Sequence, residues 1–457
     1  MNKKFNFYLI YLLIIFILIC FVLYGALLKH HYKGGAKFEN LQKVAVFFAE
    51  IPSNIKSILM DNKLGDDSLK PIKKKIQKEK EFFIKRLESS RDELIIISRH
   101  DGDSGRSIVE IRDFNNFNIL HSYSPDIKKI YDKTDLTKIE FQTLLKDKGI
   151  NKFQIWNPAI TFKGELIFHN SSPLVKVDFC GNIIWVNDED KFHHSTNLDL
   201  DGNIYVPSRK FPYTQEFSNL VGSAYSNFED DSINILNNKG EIIFSKSVTE
   251  ILFEHDLKHR IFSQQDFKRD PINLNDIQPV LKDGQYFKKG DLFLSLRHLS
   301  MIILYRPETN KIIKIIEGGF FHQNDVDIID DKTISIYNNN VLLNYNNERI
   351  VSNNEVVFYH FDTDSFSKKF ENSMKKLKIN TIRYGSIEFL ADRSAIIEDT
   401  NNGRIFYLNK TGDVIWEFNN LSKKKLIYSL FWSRIIKSEQ AKTIKKIIQE
   451  KDQRCQK

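Results

Sequence analysis

The sequence predicts an all-β protein: a six-bladed β-propeller preceded by a single N-terminal transmembrane helix and a short helical stalk. Three observations carry that expectation. An uncharged apolar run stands near the start of the chain, the sequence changes character near Leu94, and one three-strand pattern then returns six times.

The apolar run comes first. From Phe5 to Leu28 the chain has 24 residues without a formal charge, long enough at about 1.5 Å per residue to cross a ~30 Å hydrocarbon core. A secretory signal has a shorter apolar region, about 7 to 15 residues, and a small-residue cleavage site, so residues 1–35 read as a transmembrane anchor. Lysines flank both ends (Lys3 and Lys4, Lys29 and Lys33), and a long following domain translocates largely regardless of flanking charge. The expectation is a single-pass membrane protein whose large domain lies on the extracytoplasmic, periplasmic side. Residues 36–90 read as a helical juxtamembrane stalk. Apolar residues recur at helical spacing up to Pro52, and residues 69–88 are crowded with Lys and Glu, the composition of a solvated face.

Residues 91–436 read as the propeller. From Leu94 short β-branched and aromatic runs alternate with Gly, Asn and Asp turns, which is strand and hairpin language. The pattern of strand, polar break, strand, turn and strand begins at Glu93, Glu165, Asn203, Asp291, Thr333 and Ala395. Repeats built from short strands read as propeller blades, because each buries a sheet face on its neighbour and none need be stable alone. Turns such as Cys180–Asn182, Asn238–Gly240 and Lys410–Asp413 supply residues that tolerate positive φ. Trp185 and Trp416 follow two of these turns and read as inter-blade packing. Ligands of a propeller sit where the innermost strands converge, so the candidate site lies just before and within the first strand of each repeat.

Residues 437–457 form a basic tail. Between Leu421 and Lys457 eleven Lys or Arg face only Glu439, Glu450 and Asp452, which holds the whole formal charge of +8. The rest of the chain is neutral, which removes the case for nucleic acid; the tail instead suits an anionic lipid surface. Three cysteines (Cys20, Cys180, Cys455) exclude a disulfide scaffold and a cysteine-rich zinc module. There is no Walker loop, GxSxG elbow, HExxH or Rossmann fingerprint. Asp325 and Asp327 alternate on one strand face without a ligand cluster around them, so neither a metal nor a cofactor is expected.

Five phrases occur in order: FHHSTNLDLDGNIYVPSR from Phe192, RDPINLNDIQPV from Arg269, GDLFLSLRHLSMIILYRPETNKII from Gly290, HQNDVDIIDDKTISIYNNN from His322 and NNGRIFYLNKTGDVIWEF from Asn401. Together they resemble the arylsulfotransferase family, in register from about residue 90 to 435. The resemblance implies a six-bladed propeller that moves a sulfuryl group from an aryl sulfate to a phenolic acceptor, without a nucleotide, through a sulfohistidine. A neutral imidazole attacks sulfur, arginines neutralise sulfate oxygens, Asn side chains orient them, and a second histidine serves the leaving phenolate. By that resemblance the catalytic candidates are His194 and His193, and the substrate-binding candidates are Arg297, His298, Asn275, Arg209, His322 and Arg383.

Two departures stand in these phrases. Asn273 occupies a usual histidine position, and Gln323-Asn324-Asp325 replaces Gln-His-Asp, with His322 two places upstream. Asn cannot carry a transferable sulfuryl group, so either His193 or His194 is the nucleophile, or the chain is a catalytically degenerate propeller that binds an anionic ligand or a protein partner. Strand alternation lets one of the paired histidines face the channel, and His194 is preferred. Arg297 and His298 interrupt an apolar strand, and a buried guanidinium needs an anion; Arg297 is therefore the leading anion ligand.

Overall fold

The computed structural model describes residues 7–32, 41, 44–45, 48–49, 80–135, 153–210, 228–262, 269–343, 349–450 and 455. The chain divides into two compact units, Met1–Gly65 with Pro212–Phe228, and Asp66–Phe211 with Glu229–Lys457. The first holds helix α1 (Phe7–Tyr32), whose stretch Ile10–Lys29 has a mean hydropathy of 2.9, is buried nowhere in protein, and is long and apolar enough to cross a membrane. The described residues between 41 and 49 are helical; the rest of the expected stalk up to residue 79 lies outside the described residues.

The second unit is a six-bladed β-propeller of antiparallel sheets. Blade 2 comprises Trp156–Ile160, Leu166–His169, Leu174–Val177 and Ile183–Asn187. Blade 3 comprises Asn197–Leu198, Ile204–Arg209, Asp231–Leu236 and Ile242–Ser247, and blade 4 Leu274–Pro279, Leu292–Leu296, Met301–Arg306 and Lys311–Glu317. Blade 5 comprises Val326–Asp330, Thr333–Asn338, Glu355–His360 and Ser365–Lys369, and blade 6 Ser386–Phe389, Ala395–Asp399, Arg404–Leu408 and Val414–Asn419. Mid-blade strands such as Leu292–Leu296 are buried throughout, because neighbouring blades cover both faces, and they read as mainly apolar runs. Outermost strands such as Lys311–Glu317 and Ile242–Ser247 alternate in exposure, as half-solvated strands do.

Both ends of the propeller unit close the ring. The inner strand of blade 1 is Arg434–Ile436, paired antiparallel with Leu94–Ile96, and the blade continues through Arg106–Asp113 and Ile119–Tyr123. Phe83–Lys85 adds a fifth, outermost strand to blade 6, so the last part of the segment read as stalk is propeller. Apolar seams lie between blades. Trp416, 1% exposed, packs against Phe114, Phe117 and Tyr407 between blades 6 and 1. Trp185 lies against the turn glycine Gly240 of blade 3 and donates to the Asn238 carbonyl at 3.1 Å.

Side chains near the axis also staple blade to blade. Asp231 Oδ2 accepts the Leu274 N–H (2.6 Å), Asp276 Oδ2 that of Val326 (3.2 Å), and Asp325 Oδ2 that of Ile387 (3.1 Å). Glu398 accepts the Trp432 and Ser433 N–H groups, and Glu388 that of Ile435. These acids satisfy backbone donors that a bare channel wall would leave unpaired.

The described part of the basic tail is mostly helical. Helix α2 (Ser438–Gln449) buries Ala441, Ile444 and Ile447 in the core shared by blades 1 and 2. Its apolar stripe is thus used on the propeller, and Lys442 and Lys446 are left exposed on the other side. Beyond it Cys455 forms a disulfide with Cys180 in the blade 2 turn, a link spanning 275 residues with the Cα atoms 5.5 Å apart.

Candidate functional site

One non-glycine residue stands in the left-handed region at, or within four residues of, the start of every inner strand. In blade order these are Trp432 (φ 78°), Asn157 (43°), His194 (56°), Asn273 (52°), His322 (51°) and Tyr384 (64°). Such a conformation costs a residue with a Cβ about 1–3 kcal/mol, and six occurrences at one structural position mark where the chain turns into the channel. The alignment of blades 4 and 5 also resolves the sequence departure. Asn273, Asn275 and Asp276 correspond to His322, Asn324 and Asp325, so His322 occupies the bend position that Asn273 holds one blade earlier.

At this end of the channel a cavity of about 270 Å³ is lined by His194, Asp270, Asn273, Asn275, Arg297, His298, Asn324, Arg383 and Tyr384. A larger cavity, about 590 Å³, lies where the inner strands end and helix α2 begins; Asp327, Glu388, Arg434 and Lys437 are among its walls, and it contains none of the nominated site residues. The smaller cavity is therefore the one that gathers the candidate residues.

His194 is held from both sides. Its carbonyl accepts hydrogen bonds from His169 Nε2 (2.9 Å) and Asn157 Nδ2, which fixes the left-handed bend. Its Nδ1 lies 2.6 Å from His193 Nδ1, and His193 Nε2 is 3.1 Å from Asp231 Oδ1, close but off the hydrogen-bond line. Burial pushes both imidazoles well below the ordinary histidine range; for His193 the Arg209 charge adds to the effect, and for His194 His193, Arg209 and Arg297 do. Both rings are therefore neutral at neutral pH, the state in which imidazole is a nucleophile.

Arg297 follows the second strand of blade 4 in a single 3₁₀ turn, is 7% exposed, and donates from Nη2 to the Ile382 carbonyl at 3.0 Å. His298 places Nδ1 2.7 Å from the Asp270 carbonyl, which fixes the proton on Nδ1 and leaves Nε2 as its acceptor. Burial lowers the His298 pKa, and Asp270 opposes the shift. Asn324 donates Nδ2 to the Gly385 carbonyl and accepts Asn275 Nδ2 at 2.6 Å. That chain of donors orients Asn275 so that Oδ1, buried and without a partner among the described residues, is an acceptor rather than a sulfate-binding donor. Asn273 gives both its backbone N–H and Nδ2 to the Asp270 carboxylate and so belongs to the frame.

Of the eight nominated residues, the fold brings His194, Arg297, His298, Asn275 and Arg383 to one cavity. His193 stands behind His194. Arg209 ion-pairs with Glu229 and lies 3.9 Å from both Asp231 and Asp270, supporting the acids around the site. His322 is at the rim, its Nδ1 2.8 Å from the Val341 carbonyl and its ring 6.1 Å from that of His298. Four neighbours stand outside the eight candidates: Asp231 behind His193, Asp270 beside His298, Asn324 beside Asn275, and Tyr384, whose ring meets Trp156 edge-on at 4.6 Å. Tyr384 had a legible signal in the Tyr-Gly pair before a strand, the mark of a tight bend. Among the described residues no group of three or more His, Cys, Asp or Glu is arranged to hold a metal.

A family model described as Arylsulfotransferase (ASST) matches residues 159–421, most of the propeller. No curated protein matches the chain significantly in sequence. Among solved structures, a protein of unknown function from Bacteroides caccae is 12% identical over 75% of this chain and 98% of its own, with a TM-score of 0.48. A chain of a nidogen/laminin complex is 8% identical over 76% and 99%, TM-score 0.42. A virginiamycin B lyase from Staphylococcus aureus is 11% identical over 57% and 69%, TM-score 0.33. At these identities and scores the structural likenesses carry no argument about the chemistry.

Proposed function

This chain belongs to the arylsulfotransferase family, and on that premise we propose that it transfers a sulfuryl group from an aryl sulfate to a phenolic acceptor, without a nucleotide, through a sulfohistidine at His194. The observation that carries the reading is a neutral histidine lining the same cavity as Arg297 and Arg383.

The guanidinium groups of Arg297 and Arg383 hold the sulfate oxygens and the charge that builds on them. His194 Nε2 forms the N–S bond, the S–O bond to the aryl group breaks, and the electron pair leaves on the phenolate. A cavity of about 270 Å³ is below the usual range for drug-sized ligands, ~300–1,000 Å³. It suits one aromatic molecule at a time and hence a double displacement. In the second half the acceptor hydroxyl gives its proton to His298 Nε2, and Asn275 Oδ1 is the acceptor that orients it before transfer. Tyr384, backed by Trp156, supplies an aromatic wall for the ring.

Helix α1 serves in this reading as a single membrane anchor, with the propeller on the extracytoplasmic side. The Cys180–Cys455 link supports that side, since disulfides persist in oxidising compartments and are rare in the cytosol. A second reading, a degenerate propeller that binds an anion without turnover, draws on Asn324, whose amide is spent on Gly385 and Asn275 at a usual histidine position.

The test is incubation of the full-length chain in detergent with p-nitrophenyl sulfate and phenol. Nitrophenol release that depends on phenol, and that His194→Asn abolishes, is expected. Release at the level of a boiled control, with sulfate still bound, selects the second reading.

A further inference from the structure

Resting on His194 as the reactive histidine, we propose that Asp231 and His193 are positioning residues, which fix the proton of His194 on Nδ1 and hold it there or take it up as the reaction requires.

The contact between His193 Nδ1 and His194 Nδ1, at 2.6 Å, holds one proton, because two nitrogens that both carry hydrogen repel and two bare lone pairs gain nothing. If the proton belongs to His193, its Nε2 must present a lone pair to the Asp231 carboxylate 3.1 Å away, which sets two acceptors face to face. If it belongs to His194, His193 carries its own proton on Nε2 and points it at Asp231. A carboxylate at that place therefore selects the second arrangement and leaves His194 Nε2 with the lone pair that faces the cavity. The carboxylate is fixed independently: Asp231 is fully buried, its Oδ2 accepts the Leu274 N–H at 2.6 Å, and Arg209 Nε stands 3.9 Å from its Oδ1. His193 itself is anchored by its backbone N–H, which donates to the Pro207 carbonyl at 3.0 Å. The tight angle at His193 Nε2 closes with a small ring rotation, as catalytic hydrogen bonds in empty sites commonly do.

The chain also balances the chemistry. When Nε2 bonds to sulfur the ring of His194 becomes cationic, and its Nδ1 proton passes to His193 Nδ1. His193, now an imidazolium, pairs with Asp231, while the phenolate departs with the electrons of the broken S–O bond. When the acceptor oxygen bonds to sulfur the N–S bond breaks, its pair returns to Nε2, and the proton moves back to His194 Nδ1. The charged and titratable groups that face this chain are Arg209, Arg297, Lys191, His169, His298, Asp270 and Asp230. None of the seven stands between Asp231 and His193 or between His193 and His194.

The experiment reads the tautomer without the transfer reaction, so its failure is separable from failure of the sulfotransferase reading. The full-length chain in detergent is treated with diethylpyrocarbonate between pH 5.5 and 8, and carbethoxylation of His194 is followed by peptide mass spectrometry. Wild type is expected to react at His194 at a rate nearly constant down to pH 5.5. Asp231→Asn keeps an oxygen for Leu274 but offers N–H to His193, which moves the proton of His194 onto Nε2, and is expected to slow the reaction at least tenfold. Asp231→Glu should recover part of it. Reversal of a histidine tautomer in a Ser-His-Asp triad costs about 10⁴ in kcat. If Asp231→Asn does not fold, a second pair decides. His193→Asn keeps an acceptor beside Nδ1 and should react within about threefold of wild type, whereas His193→Leu should lose at least tenfold, a contrast that loss of packing alone does not produce. Equal His194 reactivity in wild type and Asp231→Asn, or in the two His193 variants, overturns the proposal.

Discussion

Arg297 shows most plainly how one residue joins sequence to function. A guanidinium at the end of a buried, mainly apolar strand is costly unless something anionic meets it, and the fold turns it by a single 3₁₀ turn to the cavity that His194 and Arg383 also line. Its planar fork matches sulfate oxygens in a way an ammonium does not. Arg297→Ala is expected to lower kcat/KM for p-nitrophenyl sulfate by about 10²–10³-fold, the loss typical of one oxyanion donor, and Arg297→Lys to recover only a small part. A change under threefold in steady-state assays would remove Arg297 from the sulfate site. Arg209 differs in kind: its partners Glu229, Asp231 and Asp270 already answer its charge, so it supports the site from behind.

At the scale of elements, the bends that begin the inner strands set the geometry, and Gly385 beside Tyr384 leaves no room for a side chain. Its φ is +88°, and an added Cβ would stand 2.5 Å from the buried Tyr337 ring and 2.7 Å from Thr381. Its carbonyl also receives Asn324 Nδ2. Gly385→Ala is expected to cost about 2 kcal/mol or more, read as a lowered urea midpoint, and to displace Asn324 and Tyr384; an unchanged midpoint would contradict that packing. The mid-blade strands were legible in the sequence because cover on both faces demands continuous apolar runs. The inner strands were not, since Asn197–Leu198 is two residues long and the channel face asks for Asn and Asp rather than β-branched residues; each repeat therefore read as starting one strand late. In the site, His194, Arg297, His298 and Asn275 are legible in phrases that the family resemblance makes readable, and Arg383 by the same resemblance outside them. Asp231 is not, because it follows an insertion and no spacing rule ties it to His193; only closure of the blade brings them together.

The propeller unit is a ring tied at both its ends, by Phe83–Lys85 on blade 6, by Arg434–Ile436 on blade 1, and by the disulfide that follows helix α2. Its axis is rich in buried ionisable groups, and they set a pH dependence of sign opposite to the usual acid lability. Burial pushes Asp230, Asp276 and Glu388 up to about 7 and Asp327 up to about 6. A carboxyl whose folded pKa is raised binds more protons in the folded than in the unfolded chain, so its stabilisation is full below about pH 4 and is lost as pH rises through the folded value. The buried histidines act the other way: His169 is lowered to about 4, and His193 and His194 lie well below the usual range. Their stabilisation is complete once pH exceeds the unfolded histidine value of about 6.5. Between pH 6.5 and 8 only the acids still change, and the melting temperature is expected to fall across that interval; a rise would mean that these acids are ionised in the folded ring at neutral pH.

All three scales converge on one atom, His194 Nε2. The most direct measurement is peptide mass spectrometry of the full-length chain quenched after reaction with p-nitrophenyl sulfate in the absence of acceptor, under alkaline conditions that preserve an N–S bond. The account gives a single sulfuryl adduct on the peptide containing His194, absent from His194→Asn and discharged when phenol is added. An adduct on another histidine, or turnover with none, would contradict it.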